Sequence, residues 1–135
     1  MRKSADSSRA LQGARILAVE DEFLVLLEIA TVLSSAGAFV VKCTTIEQAL
    51  QAIDKDPPSA AVLDVRMGGN TIAPVARKLA ERGTPFLFYT GQVMGQQALS
   101  QWPDARIVSK PAAPGVLIKA VVELLQSAKP RAHGR

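Results

Sequence analysis

Residues 15–22, RILAVEDE, form an apolar run that ends in a cluster of acidic side chains. A short apolar run of this kind is typical of a buried strand in a parallel sheet, because both faces of such a sheet are covered. Ligands of these sheets bind outside the carboxyl ends of the strands. Glu20 and Asp21 stand at that kind of end, and we therefore take them as the first candidate site residues.

Three further apolar runs end in polar residues in the same way. The runs are AAVL at residues 60–63, PFLFY at residues 85–89 and ARIV at residues 105–108. The polar residues that follow them are Asp64, Thr90 and Lys110. Taken singly, each has an ordinary explanation, such as a turn after a strand. Four strands in one chain that each end in polar residues of this kind indicate that these residues form one common site.

The order of the remaining elements predicts an α/β fold. Residues 38–41, AFVV, supply a further strand, and apolar residues at helical spacing follow each strand. We predict helices at about 22–35, 45–55, 72–82, 91–101 and 114–127. The chain therefore alternates five strands with five helices. Alternation of this kind specifies a parallel sheet with right-handed crossovers and helices on both faces.

We expect a doubly wound (βα)5 fold, flavodoxin-like, with a five-stranded parallel sheet in the order 2-1-3-4-5. In this topology the binding crevice lies between strands one and three. The crevice would bring Glu20, Asp21 and Asp64 together.

Some stretches are predicted to be less regular. The glycines of residues 66–71, RMGGNT, predict a flexible loop, and the glycines and glutamines of residues 91–101 predict a short or mobile fourth helix. We place one domain at residues 14–128. Residues 1–13 show no period and are predicted to form a disordered basic arm, and residues 129–135 a basic tail.

The composition narrows the class of protein. The net charge of +4 comes from the two ends of the chain, so we expect no direct binding of nucleic acid. The single cysteine, Cys43, cannot form an internal disulfide and is expected to be a buried apolar residue. The single histidine, His133, lies in the tail. The most apolar helix is interrupted by Glu28, well short of the ~20 residues of a membrane span. We therefore expect a cytoplasmic protein without membrane insertion.

The candidate residues suit a phosphoryl group. Three carboxylates in one cleft repel each other and need a cation. Oxygen ligands without Cys or His favour Mg²⁺, which keeps coordination positions for phosphate oxygens. Lys110 adds a positive charge and Thr90 a hydroxyl donor. Asp64 is the candidate nucleophile, because an aspartate can form an acyl phosphate and its strand lies nearest the centre of the sheet.

Four short motifs in this order resemble the receiver domain of two-component response regulators. They are VEDE at 19–22, LDV at 63–65, YTG at 89–91 and SKP at 109–111, and the resemblance covers residues 15–127. It implies that Asp64 is the phosphoacceptor and that Asp21 binds Mg²⁺ directly. Glu20 would help through a water molecule, and the backbone carbonyl of Arg66 would complete the metal site.

The same resemblance assigns roles to the two remaining strand ends. Thr90 would move toward the phosphoryl group, and Lys110 would pair with it. The bond between Lys110 and Pro111 would be cis, although only ~5–6% of X-Pro bonds in folded proteins are.

A narrower resemblance points to stand-alone receivers with a FATGUY motif. It rests on DVRMGG at 64–69, PVA at 74–76, RGTPF at 82–86 and FYTG at 88–91. Such domains pair with sensor histidine kinases, and their fourth helix is often poorly ordered. The chain departs from the pattern in Tyr89, where Ala is expected, in Val93, where the motif closes with Tyr, and in Ile107, where strand five usually has an aromatic switch residue. Tyr89, Gly91, Ile107 and Pro111 are therefore candidate tuning positions.

These observations predict a single-domain response regulator. It would accept a phosphoryl group from a histidine kinase or a histidine phosphotransfer protein, and would signal to an unknown downstream protein through a changed binding surface. It would not be an enzyme, and the sequence leaves both a monomer and a homodimer open.

Three alternative functions make different demands on the sequence. An FMN carrier needs a Ser, Thr or Gly phosphate loop after strand one, where this chain has acids. A Mg²⁺-dependent phosphatase would want a second acid two residues after its nucleophile, where Arg66 stands. A phosphorylation-independent interaction module with the receiver fold remains the main alternative.

Overall fold

A five-stranded parallel sheet organises the chain in the computed structural model, which describes residues 9–128 apart from the side chains of Gln92, Val93 and Ala128. In chain order its strands are β1 (Arg15–Val19), β2 (Phe39–Cys43), β3 (Ala60–Leu63), β4 (Phe86–Thr90) and β5 (Arg106–Ser109). The helices are α1 (Phe23–Ser35), α2 (Ile46–Lys55), α3 (Ala73–Glu81), α4 (Gln92–Gln101) and α5 (Pro114–Ala128). Within the described residues, no helix combines the length and apolar character needed to cross a bilayer.

The strands lie in the order β2-β1-β3-β4-β5, which confirms the predicted topology. The register aligns the carboxyl ends of the strands: Val19 lies opposite Leu63, and Thr90 opposite Ser109. Backbone hydrogen bonds continue one residue past the strands, because Asp64 N–H donates to Val19 O at 3.0 Å and Lys110 N–H donates to Thr90 O at 3.0 Å. The polar residues that follow the strands are therefore held by the sheet itself.

Two apolar clusters cover the two faces of the sheet. Side chains alternate along β1, so that Ile16 and Ala18 join the cluster with α1 and α5, whereas Leu17 and Val19 join the cluster with α2, α3 and α4. The buried residues of α1 are those predicted from helical spacing, namely Leu26, Ile29, Ala30 and Leu33. Cys43 is buried in the second cluster, as predicted.

The predicted flexible loop at residues 66–71 is instead a short hairpin. Arg66–Met67 pairs antiparallel with Asn70–Thr71 around a two-residue turn. Gly68, the first turn residue, has φ +62°, the left-handed conformation that glycine adopts most readily at this place in a hairpin. Met67 is buried and anchors the hairpin to the second cluster. The loop prediction was wrong because a Gly-Gly pair also makes a tight turn.

The fourth helix lies within the predicted range of residues 91–101. It is α4, a helix of ten residues. Ala98 is buried against the second cluster, and Trp102 N–H closes the last turn by donating to Ala98 O at 2.8 Å. Packing against β4 and β5 thus overrides the low helix propensity of its Gly and polar residues.

The predicted disordered arm extended too far into the chain. Residues 9–13 form turns, and Leu11 is 1% exposed within the first cluster. Its N–H donates to Ala36 O at 2.8 Å. Gly37, at φ +99°, lies so close that a Cβ there would sit 3.0 Å from the backbone of Gln12. The prediction failed here because a single leucine produces no periodic signal. The rest of the arm and the predicted tail at 129–135 lie outside the described residues.

Candidate functional site

The carboxyl ends of four strands bring the predicted site residues together. Glu20 and Asp21 follow β1, Asp64 follows β3, Thr90 ends β4, and Lys110 follows β5 by one residue. One carboxylate oxygen from each of the three acids lies within 4.8 Å of the others. The crevice between strands one and three therefore holds the acidic cluster, as the topology predicted.

Asp64 receives one hydrogen bond on each carboxylate oxygen. The Thr90 hydroxyl donates to Oδ1 at 2.9 Å, and the Lys110 ammonium donates to Oδ2 at 3.2 Å. Asp64 and Thr90 are both buried. The two donors come from the next two strands of the sheet, so the register of β4 and β5 sets their positions.

Glu20 has both of its oxygens bound within the protein. Its Oε1 accepts from Lys110 Nζ at 2.6 Å, and its Oε2 accepts from the backbone N–H of Glu22 at 3.1 Å. The residue is 1% exposed. A carboxylate engaged in this way is better suited to hold a metal-bound water than to bind the metal directly. Glu22 itself is exposed and occupies the N-cap position of α1, where its side chain makes no capping hydrogen bond.

The charges in the cluster are not balanced. With all three carboxylates ionised, the cluster carries two more negative charges than the one ammonium balances. Burial raises the pKa of Glu20, and the hydrogen bond from Lys110 only partly offsets this rise. Burial alone would lower the pKa of Lys110, but the hydrogen bond to Glu20 and the charge of Asp64 outweigh it, so the pKa of Lys110 is raised. The ammonium therefore stays charged, and the site attracts a further cation.

The turn of the hairpin reaches the exposed acid of the cluster. Gly68 N–H donates to Asp21 Oδ2 at 2.7 Å. Sequence reasoning missed this contact, because it joins residues 47 positions apart. The Gly-Gly pair close behind Asp64 was the only signal that could have suggested a tight turn here. Arg66 begins the same hairpin, and the role of its carbonyl as a metal ligand stays a prediction.

The candidate tuning positions lie around this cluster. Tyr89 is buried, and its hydroxyl oxygen accepts a hydrogen bond from Ala112 N–H at 3.1 Å, another contact that the sequence did not reveal. Gly91 is the exposed N-cap residue of α4. Ile107 is half-buried against the second apolar cluster. The peptide bond between Lys110 and Pro111 is cis, as the resemblance implied.

The donor set fits a hard divalent cation. Across residues 9–128, the acidic cluster is the one group of three or more metal-ligating side chains close enough to share an ion. All its donors are carboxylate oxygens, which Mg²⁺ prefers, and the excess negative charge favours its binding. Cys43 does not compete as a ligand, since burial raises the pKa of its thiol to about 11. The residues present therefore fit Mg²⁺.

Comparison with known proteins agrees with this geometry. The family described as the response regulator receiver domain matches residues 16–122. No curated protein matches the chain.

Several solved structures share the fold. NtrX from Brucella abortus is 23% identical with a TM-score of 0.79, over 89% of this chain and 28% of that chain. The signal receiver domain of a putative Luxo repressor protein from Vibrio parahaemolyticus is 20% identical with a TM-score of 0.75, and the match covers 88% of this chain and 95% of that one. A CheY-like receiver domain protein from Methanospirillum hungatei JF-1 is 22% identical with a TM-score of 0.76, and the match covers 87% of this chain and 98% of that one. The chain thus spans little more than a quarter of NtrX but nearly the whole of the two receiver domains.

Proposed function

Because the chain belongs to the response regulator receiver domain family, we propose that it accepts a phosphoryl group on Asp64 from a histidine kinase or a histidine phosphotransfer protein. One observation carries the proposal. The two oxygens of Asp64 are bound by a hydroxyl and an ammonium, both of which can also donate to the oxygens of a phosphoryl group. The acceptor thus lies among groups that stabilise its product.

The transfer is a substitution at phosphorus. An oxygen of the Asp64 carboxylate attacks the phosphorus of a phosphohistidine, the new O–P bond forms as the N–P bond breaks, and the imidazole leaves with a proton from solvent. The attacking oxygen must give up its hydrogen bond from Thr90 or Lys110. The released donor then binds an oxygen of the transferred group. The result is an acyl phosphate.

The other two acids are less suited to accept the group. Glu20 is more deeply buried than Asp64 and has both oxygens bound within the protein. Asp21 is exposed and lies beside the hairpin turn, outside the reach of the Thr90 and Lys110 hydrogen bonds that the structure describes. Only Asp64 combines access with a donor on each oxygen.

A bound Mg²⁺ would be held by Asp21 and Asp64, with Glu20 acting through water and the Arg66 carbonyl as a further ligand. When bound, it supplies positive charge that offsets the repulsion between the carboxylates and the incoming phosphoryl oxygens. The protein contributes the fixed positions of these acids at the ends of two hydrogen-bonded strands.

An exposed apolar surface next to the acids suits the phosphoryl donor. Phe23, Leu24 and Leu27 on α1 are 58%, 76% and 42% exposed, and Val116, in the first turn of the neighbouring α5, is 54% exposed. Large exposed apolar side chains grouped on one surface are typical of protein interaction sites. We propose that the helices carrying the donor histidine pack on this surface, which lies beside Asp21 in the chain.

The acyl phosphate would act as a signal and not as a step of turnover. Each Asp64 takes one phosphoryl group, so the protein is proposed to be an acceptor and not an enzyme. Thr90 and Lys110 would shift their hydrogen bonds to the new group and change the surface around β4, α4 and β5. This surface would bind the downstream protein.

The test is intact mass after incubation with acetyl phosphate and Mg²⁺, for the wild type, for Asp64→Asn and for Asp104→Asn, in which an exposed turn aspartate is changed. We expect one phosphoryl adduct on the wild type and on Asp104→Asn, and none on folded Asp64→Asn. An adduct on Asp64→Asn would overturn the site assignment. A folded wild type that takes no phosphoryl group, even from kinases that phosphorylate other receivers, would support the phosphorylation-independent interaction module.

A further inference from the structure

Tyr89 joins two parts of the site that are far apart in sequence. It stands directly before Thr90 on β4, and its side chain lies in the apolar cluster with α1 and α5. The hydroxyl oxygen accepts from Ala112 N–H at 3.1 Å, in the segment between β5 and α5. Tyr89 is 6% exposed. Water therefore has little access to the Tyr89 hydroxyl and does not readily replace it as the acceptor of this N–H.

Tyr89 also lies close to Lys110, the residue whose ammonium binds Glu20 and Asp64. The ammonium of Lys110 lies 5.9 Å from the centre of the Tyr89 ring, within the range of a cation–π interaction. The backbone N–H of Lys110 is fixed by Thr90 O at 3.0 Å. The segment from Lys110 to Ala112 is thus bound at its start by the backbone of β4 and at its end by the Tyr89 hydroxyl.

We propose that Tyr89 is a positioning residue, which holds the segment from Lys110 to Ala112 so that the Lys110 ammonium reaches Asp64. The proposal deepens the proposed function and rests on it. A lysine side chain is flexible, and its direction depends on where its backbone is held. The distance of 3.2 Å from Lys110 Nζ to Asp64 Oδ2 is at the long end for a hydrogen bond, so a small shift of the segment would break it.

The contacts make Tyr89 a fixed anchor and not a moving ring. Its ring is packed inside the first cluster, and its hydroxyl is bound to a backbone N–H. When Lys110 turns from Glu20 to a phosphoryl group, only the lysine side chain has to move. The segment that leads into α5 keeps its position, because the hydrogen bond from Ala112 N–H to the Tyr89 hydroxyl does not involve the Lys110 side chain.

The first test compares Tyr89→Phe, which removes only the hydroxyl, with Tyr89→Leu, which also removes the ring. Thr31→Val is the matched control, because it removes one side-chain hydrogen bond to backbone on the exposed face of α1. We expect Tyr89→Phe to speed amide exchange of Ala112 and to slow phosphoryl uptake from acetyl phosphate about fivefold, the factor for one hydrogen bond of typical strength. Tyr89→Leu should be slower still, and Thr31→Val should match the wild type.

A double-mutant cycle separates positioning from a general structural effect. In a Lys110→Met background, Tyr89→Phe should leave the remaining uptake rate unchanged, because the hydroxyl acts through Lys110. A fivefold loss in both backgrounds would overturn the proposal.

Two readouts do not depend on phosphorylation. The side-chain order parameter of Lys110 should fall in Tyr89→Phe, and an unchanged value would also overturn the proposal. Because Tyr89 is the only tyrosine, fluorotyrosine labelling gives one ¹⁹F resonance, whose solvent exposure should stay constant when the site is phosphorylated. If Asp64 accepts no phosphoryl group, the order parameter still decides the role of Tyr89.

Discussion

At the amino end of the central sheet the elements are held together mainly by backbone and apolar contacts, whereas at the carboxyl end the half-buried Lys110 forms ion pairs with two buried acids. Leu11 seals the amino end, and Phe39 N–H donates there to Ala14 O at 2.8 Å. One ion pair at this end, between Arg15 and Asp56, is partly exposed, and the Arg15 guanidinium lies 4.9 Å from the centre of the Phe39 ring.

Buried polar side chains distinguish the other end. Among the described residues, those classed as buried and polar are Glu20, Asp64 and Thr90, and all three lie at the carboxyl end. Burying a charge is unfavourable unless it is paired, and the two buried acids, Glu20 and Asp64, share one lysine here. The amino end of the sheet shows that apolar and backbone contacts are sufficient to hold the elements together. Buried acids are therefore not needed at the carboxyl end for stability. The difference supports the proposed role of the carboxyl end as the site that accepts the phosphoryl group.

The largest expected effect tests the amino end. Leu11→Ala should lower the free energy of unfolding by about 2–4 kcal/mol, because it removes a buried leucine and leaves a cavity. Urea unfolding measures the change. Leu24→Ala, at an exposed leucine, should stay within about 0.5 kcal/mol of the wild type. Equal changes in the free energy of unfolding in the two variants would mean that burial of Leu11 in the first apolar cluster does not stabilise the fold. Phosphoryl uptake by folded Leu11→Ala should be unchanged.

The carboxyl end is tested by removing the cation that binds Glu20 and Asp64. Lys110→Met should lower the free energy of unfolding at pH 7 by about 2–3 kcal/mol, less than a fully buried pair because Lys110 is 24% exposed. Without the ammonium, burial raises the pKa of Glu20 further, so the folded protein binds a proton that the unfolded chain has lost. Stability of the variant should therefore recover as the pH falls from 7 toward 5.

Urea unfolding at both pH values measures this recovery, and Lys119→Met, at an exposed lysine of α5, is the control. A loss of stability in Lys110→Met that grows at lower pH would contradict the assignment of unpaired carboxylates.

The smallest effect is expected from an exposed ion pair near the amino end. Asp54, at the end of α2, accepts from Lys78 at 2.7 Å and from Arg82 at 2.6 Å. The hydrogen bond from Lys78, then that from Arg82, lowers the pKa of Asp54. A lowered pKa stabilises the folded state at pH values above the ordinary Asp pKa of about 3.9. This contribution is lost as the pH falls through the pKa of Asp54 in the folded state.

Asp54→Asn should therefore lower Tm slightly at pH 7, and the difference from the wild type should disappear near pH 2. Thermal unfolding at the two pH values measures this, and Asp104→Asn should show no such change. A difference that persists in acid would mean that Asp54 acts through packing and not through its charge.

Local patterns in the sequence were enough to predict the topology and which candidate residues lie together at one end of the sheet. Apolar runs and helical spacing reflect contacts of each element with the apolar clusters on the two faces of the sheet, so they predicted five strands and five helices. The alternation of these elements, with acids after strand one, then predicted the order 2-1-3-4-5. Parallel strands place their carboxyl ends at one edge, so the residues that follow them had to meet there. Glu20, Asp21, Asp64, Thr90 and Lys110 were therefore found from position and chemistry alone.

Only the tertiary structure decided how those residues are held. Gly68 binds Asp21 across 47 positions and Tyr89 binds Ala112 across 23, and neither contact has a periodic signal. The burial of Leu11 and the length of α4 likewise depend on neighbours from other elements. A pattern along the chain reports which face an element buries. Which single donor meets which acceptor is set by the register and packing of elements that are distant in sequence.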